Sequence, residues 1–182
     1  MLKFISFIAF SFAYQFCTAQ NIKIAEPEFS GTIVNVNAAT SNGSFLETNK
    51  LILKTKASAS VYITGIGKAT TKATVKGNTS IVKIKNDYTL QFVYRTSDNT
   101  VNPVDVIQLI RFKVKGVNRE TELASAGTFT RTSSGDIRFV EFTAKKYKTS
   151  SYLITVKNLM AGEYGFSLGK EESYTIHMFS VE

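Results

Sequence analysis

Hydrophobic and polar residues alternate at every second position along much of this chain. The clearest stretch is 150–168, which reads Ser-Ser-Tyr-Leu-Ile-Thr-Val-Lys-Asn-Leu-Met-Ala-Gly-Glu-Tyr-Gly-Phe-Ser-Leu. Tyr152, Ile154 and Val156 alternate with Leu153, Thr155 and Lys157. After a break over 158–162, Tyr164, Phe166 and Leu168 alternate with Gly165 and Ser167. Successive side chains of a strand point to opposite faces, so two such runs joined by a short Gly-containing link predict a pair of antiparallel strands. The same reading predicts strands within 31–37, 45–56, 58–66, 70–75, 80–85, 88–95, 104–114, 137–143 and 174–181. Asn42-Gly43 reads as a turn, and Asn86-Asp87 as the turn of a hairpin between 80–85 and 88–95. Within 104–114, Val106, Ile110 and Phe112 share one face while Ile107 and Leu109 share the other, which predicts burial on both sides. Only 118–127 reads as a helical turn, with Asn118 as its N-cap.

About ten short strands and no amphipathic helix of normal length predict an all-β fold. The expected form is an antiparallel β-sandwich, immunoglobulin-like or related, with a closed β-barrel as the alternative. Leu159, Gly162, Glu163 and Tyr164 resemble the turn before a late strand in immunoglobulin-like and fibronectin-like sandwiches. In those families the Tyr hydroxyl bonds to upstream backbone. Met160-Ala161 stands where a Pro is common in them. The chain as a whole resembles uncharacterised exported β-rich proteins of Gram-negative bacteria. That resemblance implies export and a β fold and carries over no functional residue.

The chain has 182 residues, enough for a domain with an ordinary core. A basic start, Met1-Leu2-Lys3, precedes an apolar run over 4–16 and then Cys17-Thr18-Ala19. Small residues at the positions a signal peptidase reads predict cleavage after Ala19. The expected organisation is a signal peptide over 1–19 and a single β-sandwich domain over 20–182. The product is then periplasmic, on the cell surface or secreted. The alternative is a lipid anchor on Cys17, although Tyr14-Gln15-Phe16 depart from the small residues such a signal favours. The apolar run is shorter than the ~20 residues of a membrane span, so no transmembrane segment is expected after cleavage. Cleavage also removes the one Cys, leaving no thiol for a disulfide or a metal.

Removing Lys3 from the 22 Lys and Arg leaves 21 against 14 Asp and Glu, a net +7. That balance favours acidic polysaccharide, lipid head groups or nucleic acid as partners, and serves solubility equally well. Between Thr48 and Asn86 stand Lys50, Lys54, Lys56, Lys68, Lys72, Lys76, Lys83 and Lys85, with no acid. Lys68, Lys72 and Lys76 share a face if one strand runs through all three. Lys54, Lys56, Lys68, Lys72 and Lys76 therefore form the candidate anion-binding patch. A competing reading is that lysines on exposed strand edges block edge-to-edge pairing.

Other chemistries find little footing. Gly65-Ile66-Gly67-Lys68 is not a phosphate loop, because Tyr62 stands where the first Gly is required and Ala69 where Ser or Thr is required. His177 is the single His, and with no Cys in the mature chain it argues against a transition-metal site. It would have to be the base of any Ser-His-acid triad, and no nucleophile-elbow motif accompanies it. No Asp-rich loop signals Ca²⁺, and no cofactor is expected. Glu163, Glu171, Glu172, Asp136 and Glu141 could supply two carboxylates for glycoside hydrolysis. With no Trp present, Tyr88 and Tyr147 are the aromatics left for stacking on sugar rings. The expectation is an exported non-catalytic binding or structural module that meets an extracellular glycan, an anionic surface polymer or a protein. The alternative is a carboxylate-dependent hydrolase acting on extracellular polysaccharide. Nucleic acid rests on charge alone and is disfavoured as a partner.

Overall fold

A computed structural model describes residues 24–37, 40, 42–57, 68–127, 130–134, 138–168 and 175–182. In chain order the strands are β1 (Ile33–Asn37), β2 (Asn42–Phe45), β3 (Glu47–Lys50), β4 (Ile52–Ala57), β5 (Lys68–Lys76), β6 (Lys83–Ile84) and β7 (Thr89–Arg95). A single helical turn, α1 (Pro103–Val106), leads into β8 (Ile107–Lys115), β9 (Asn118–Gly127), β10 (Thr130–Ser134), β11 (Arg138–Phe139) and β12 (Thr143–Tyr147). Last come β13 (Ser151–Lys157), β14 (Gly162–Leu168) and β15 (Thr175–Val181). Among the described residues no helix is long and apolar enough to cross a membrane.

The strands form two sheets. The smaller has the order β12-β13-β7-β1-β2 and is antiparallel throughout. The larger runs β3-β15-β14-β8-β9-β5-β4, with β10 on β9, β11 on β8 and the short β6 parallel to β15. The sheets face each other across a core built from Phe92, Tyr152 and Ile154 on one side and Leu109, Phe166 and Phe179 on the other. The Phe92 ring lies 5.0 Å from both Phe166 and Phe179. Truncating any one of these rings to Ala costs about 3–5 kcal/mol. This is the expected antiparallel sandwich. Its strands outnumber ten because apolar runs break where the chain changes sheet or crosses between the two ends of one sheet. The run 45–56 breaks at the buried Leu46, between β2 in one sheet and β3 in the other, and again at Leu51.

The larger sheet curls into a half-barrel, which is as far as the barrel alternative is realised. Its two end strands, β3 and β4, are consecutive in sequence with Leu51 alone between them. The hollow of the curl holds a separate apolar cluster of Val75, Ile110, Phe112, Ile176 and Met178, with Leu51 packed against it. β8 is therefore buried on both sides, as its alternation predicts. Ile107 and Leu109 enter the sandwich core while Ile110 and Phe112 enter the hollow. Gly165 of β14 lies under the hollow's side chains. A Cβ there would stand 2.6 Å from Met178 Sδ and 2.7 Å from Ile176 Cδ1.

The stretch 150–168 is the main correction. β13 pairs with β12 and β7, whereas β14 pairs with β8 and β15. The two runs do not pair with each other; they are one crossing from sheet to sheet. Asn158 turns the chain out of β13 at a left-handed φ of 55°, a conformation Asn tolerates better than most residues. The Tyr164 hydroxyl then donates to the Met160 carbonyl at 2.8 Å and holds the corner. Both runs alternate because each lays one face on the shared core. Alternation reports a strand with two unlike faces, and it is silent about the partner.

Other expectations fail for local reasons. Asn86-Asp87 is not a hairpin turn, because β6 and β7 lie in different sheets. Asn42 and Gly43 belong to β2, where Gly43 passes close over Val34. The segment 118–127 is β9 rather than a helical turn. Gly116-Val117 is a two-residue link between β8 and β9, with Gly116 at φ 59°, the Gly-first form that tight hairpins favour. Arg119 and Thr121 are then buried while Glu120 and Glu122 are partly exposed, which is strand periodicity. The expected strand over 58–66 lies outside the described residues.

Candidate functional site

One face of the larger sheet changes character along β8. Ile107 and Leu109 on this face are covered by the smaller sheet. Beyond that cover the same alternation continues as Arg111, Lys113 and Lys115, partly or fully exposed. Strand register extends the charged region sideways. Lys113 and Lys115 stand opposite Glu120 and Asn118 of β9. Lys72 of β5 stands opposite Glu122, Lys54 of β4 opposite Lys72, and Arg138 of β11 opposite Arg111. A groove of about 250 Å³ lies on this face, lined by Lys72, Arg111, Lys113, Lys115 and Arg138 together with Glu120 and Glu122. Five cations against two carboxylates make its potential positive. Lys72 Nζ lies 3.7 Å from Glu120 Oε2, an exposed pair worth about 0–1 kcal/mol.

Arg111 is held in place within the groove by its neighbours. It donates to the Ala161 carbonyl at 3.1 Å, and its guanidinium carbon lies 5.7 Å from the centre of the Tyr164 ring, a cation–π contact. Gly162 leaves space for it, since a Cβ there would stand 3.3 Å from two guanidinium nitrogens.

Of the five expected lysines, the structure brings Lys54 and Lys72 together as a cross-strand pair. β5 runs unbroken over Lys68–Lys76, so one strand carries Lys68, Lys72 and Lys76. Lys72 lines the groove. Lys56 is exposed farther along β4 opposite Thr70, Lys76 is exposed opposite Asn118, and Lys68 opens β5 opposite Gly127. The lysine reading missed Arg111, Lys113, Lys115 and Arg138. The first three occupy every second position of one strand, so their signal is the same period that marks the apolar residues of β8.

The hollow on the reverse of this face contains a buried polar cluster centred on Arg119. Arg119 Nη1 and Nη2 reach Glu47 at 3.3 and 3.2 Å, Nε donates to the Gly77 carbonyl at 3.1 Å, and Nη2 donates to the Lys76 carbonyl at 3.0 Å. Nη1 also lies 3.5 Å from Glu163. Burial acts to raise the Glu47 carboxyl; hydrogen bonds from Arg119 and Asn49 outweigh it and hold the group below its ordinary value. Glu163 accepts from Thr79 Oγ1 and Ser80 N, each at 2.9 Å, and from the Ser180 hydroxyl. It is a locked structural acceptor. Glu141 is exposed before β12, and Asp136, Glu171 and Glu172 lie outside the described residues.

His177 is buried on β15, with Nδ1 3.3 Å from Thr48 Oγ1. Burial lowers its pKa, against a backbone hydrogen bond at Gly31 that raises it. Among the described residues no three His, Cys, Asp or Glu come together as a metal site. Tyr88 is exposed, and Tyr147 donates to the Ile24 carbonyl at 2.7 Å. Compared with protein-family models and with curated proteins, the chain matches none.

Proposed function

We propose that this protein is an exported, non-catalytic binding module whose basic sheet face takes an acidic extracellular polysaccharide. The observation that carries the reading is the alignment of Lys54, Lys72, Arg111, Lys113, Lys115 and Arg138 on one outward face. Neighbouring strands lie ~4.8 Å apart and same-face residues ~6.7 Å apart along a strand, so these charges form a grid. A polymer with repeated carboxylates or sulfates meets several of them at once, and individually weak contacts then add by multivalency. A shallow, strand-built face suits an extended chain, whereas a small anion calls for an enclosing pocket. Export rests on the basic, apolar N-terminus ending at Ala19. The hydrolase alternative draws less support, because Glu163 is saturated by donors.

The test is retention on immobilised polygalacturonate as salt is raised, for the parent protein, a Lys113→Glu/Arg138→Glu variant and a Lys157→Glu control on the other sheet. Retention should fall with salt, drop sharply in the double variant and stay unchanged in the control. Equal retention of the double variant and the parent would remove this face as the site. Tighter binding to single-stranded DNA than to the polysaccharide would change the polymer class.

A further inference from the structure

We propose a second ligand site, separate from the basic face: a cavity at one end of the sandwich that takes a neutral pyranose ring. The cavity is about 400 Å³, within the range of small-molecule sites. It opens between the sheets, with Tyr94 of β7 on one side and His177 of β15 on the other. Tyr94 is buried and backed by Tyr152, the two rings 6.4 Å apart and inclined by 24°. Its ring is thus fixed before any ligand arrives and forms part of the cavity's apolar wall, against which the C–H face of a sugar can pack. Val101, Val106 and Leu168 continue that surface.

Polar groups stand at the cavity's edge. The Asp98 carboxylate is pinned by Thr100, whose backbone N–H and hydroxyl each donate to it at 2.8 Å. Those two bonds leave lone pairs over for a ligand's hydroxyls. Ser30, Ser97 and Thr175 add hydroxyls to the lining, while the Thr96 hydroxyl donates to the Asp98 carbonyl at 3.3 Å and accepts from the Asp98 N–H at 3.4 Å, shaping the loop that presents the carboxylate. A hydroxyl both donates and accepts, which matches the hydroxyls of a sugar. His177 already has Thr48 and Gly31 as partners, so it serves as wall. No Lys or Arg is among the described lining residues. The Asp98 carboxylate disfavours an anion here, so the chemistry differs from that of the basic groove. A cationic ligand would pair with Asp98 in a salt-dependent way, whereas a neutral sugar would not.

The test is an NMR titration of the whole protein with neutral hexoses, N-acetylhexosamines and their disaccharides, at salt high enough to screen the basic face. At least one sugar should bind, with affinity unaffected by salt. Asp98→Ala should weaken it about ten- to a hundredfold, and Tyr94→Leu should abolish it. Asp98 is exposed, so its variant keeps the test sound if the Tyr94 variant fails to fold. Lys113→Glu/Arg138→Glu should leave sugar binding intact, which separates this site from the polymer-binding face. Failure of every sugar to bind, or binding that survives Asp98→Ala unchanged, would overturn the proposal.

Discussion

Glu47 and Arg119 meet as a two-pronged ion pair inside the curl, with Nη1 3.3 Å from Oε2 and Nη2 3.2 Å from Oε1. Glu47 opens β3, and Arg119 lies near the start of β9. The pair therefore spans the hollow between strands that are not neighbours in the sheet. Burying a guanidinium costs several kcal/mol unless partners replace its water. Here Glu47, Glu163, Gly77 and Lys76 supply acceptors to all three guanidinium nitrogens. Arg119→Met leaves two carboxylates facing each other without their cation. Urea unfolding should show a loss of about 3–5 kcal/mol. Arg119→Lys should recover only part of it, because an ammonium cannot reproduce the planar fork.

Gly165 is kept small by the hollow. Its would-be Cβ falls within 2.8 Å of both Met178 and Ile176, which are themselves fully buried. Gly165→Ala should lower stability by about 1–3 kcal/mol through overpacking. Pairing the change with Met178→Ala should relieve part of the penalty in a double-mutant cycle.

The corner between the sheets makes a smaller claim. Tyr164→Phe removes the hydroxyl that donates to Met160 and leaves the ring in the core. Unfolding free energy should fall by about 0.5–1.5 kcal/mol, with the far-UV circular dichroism unchanged.

Acid should lower the stability of the protein in two steps. Burial pushes His177 below the ordinary 6.5, against the raising effect of the Gly31 backbone. The unfolded chain then takes up that proton first. The contribution is complete above about pH 6.5 and is lost as pH falls through the lower folded value. Glu47 is also held below its ordinary 4.5, so its contribution disappears later, as pH falls through that region and below. Urea midpoints measured against pH should show both declines. His177→Gln should abolish the first and keep the second; persistence of the first in that variant would assign it to another group.

The fold class could be read because Leu90, Phe92 and Tyr94, or Tyr164, Phe166 and Leu168, show their period within five residues. Pairing could not, because partners are chosen by packing across the whole chain. β13 and β14 are adjacent in sequence and face each other from opposite sheets. β9 was misread for a related reason: its inward position at Arg119 is charged, and its partners Glu47 and Glu163 lie 72 and 44 residues away. A local pattern carries no mark of a buried arginine. On the basic face, Lys54 and Lys72 were visible as charges, but their adjacency exists only once β4 pairs with β5. Arg138 joins them through two residues of register with β8.

β4, β5 and β9 stand beyond the cover of the smaller sheet, with Lys54 and Lys72 of the basic face, and this bears on mechanical force. Among the described residues, their backbone returns to the sandwich at Leu51, through 77–82 and at Gly116-Val117. Ladder bonds join them to β8 over Lys113, Val114 and Lys115, and Arg119 grips the carbonyls of Lys76 and Gly77 at the same root. A long polymer held on this face exerts tension, and the share taken by Arg111, Lys113 and Lys115 enters the sandwich directly along β8. The share taken by Lys54 and Lys72 passes through the root of β4 and β5 instead. Under pulling, β4 and β5 should peel away first, so that the grip shortens to β8 before the sandwich gives way.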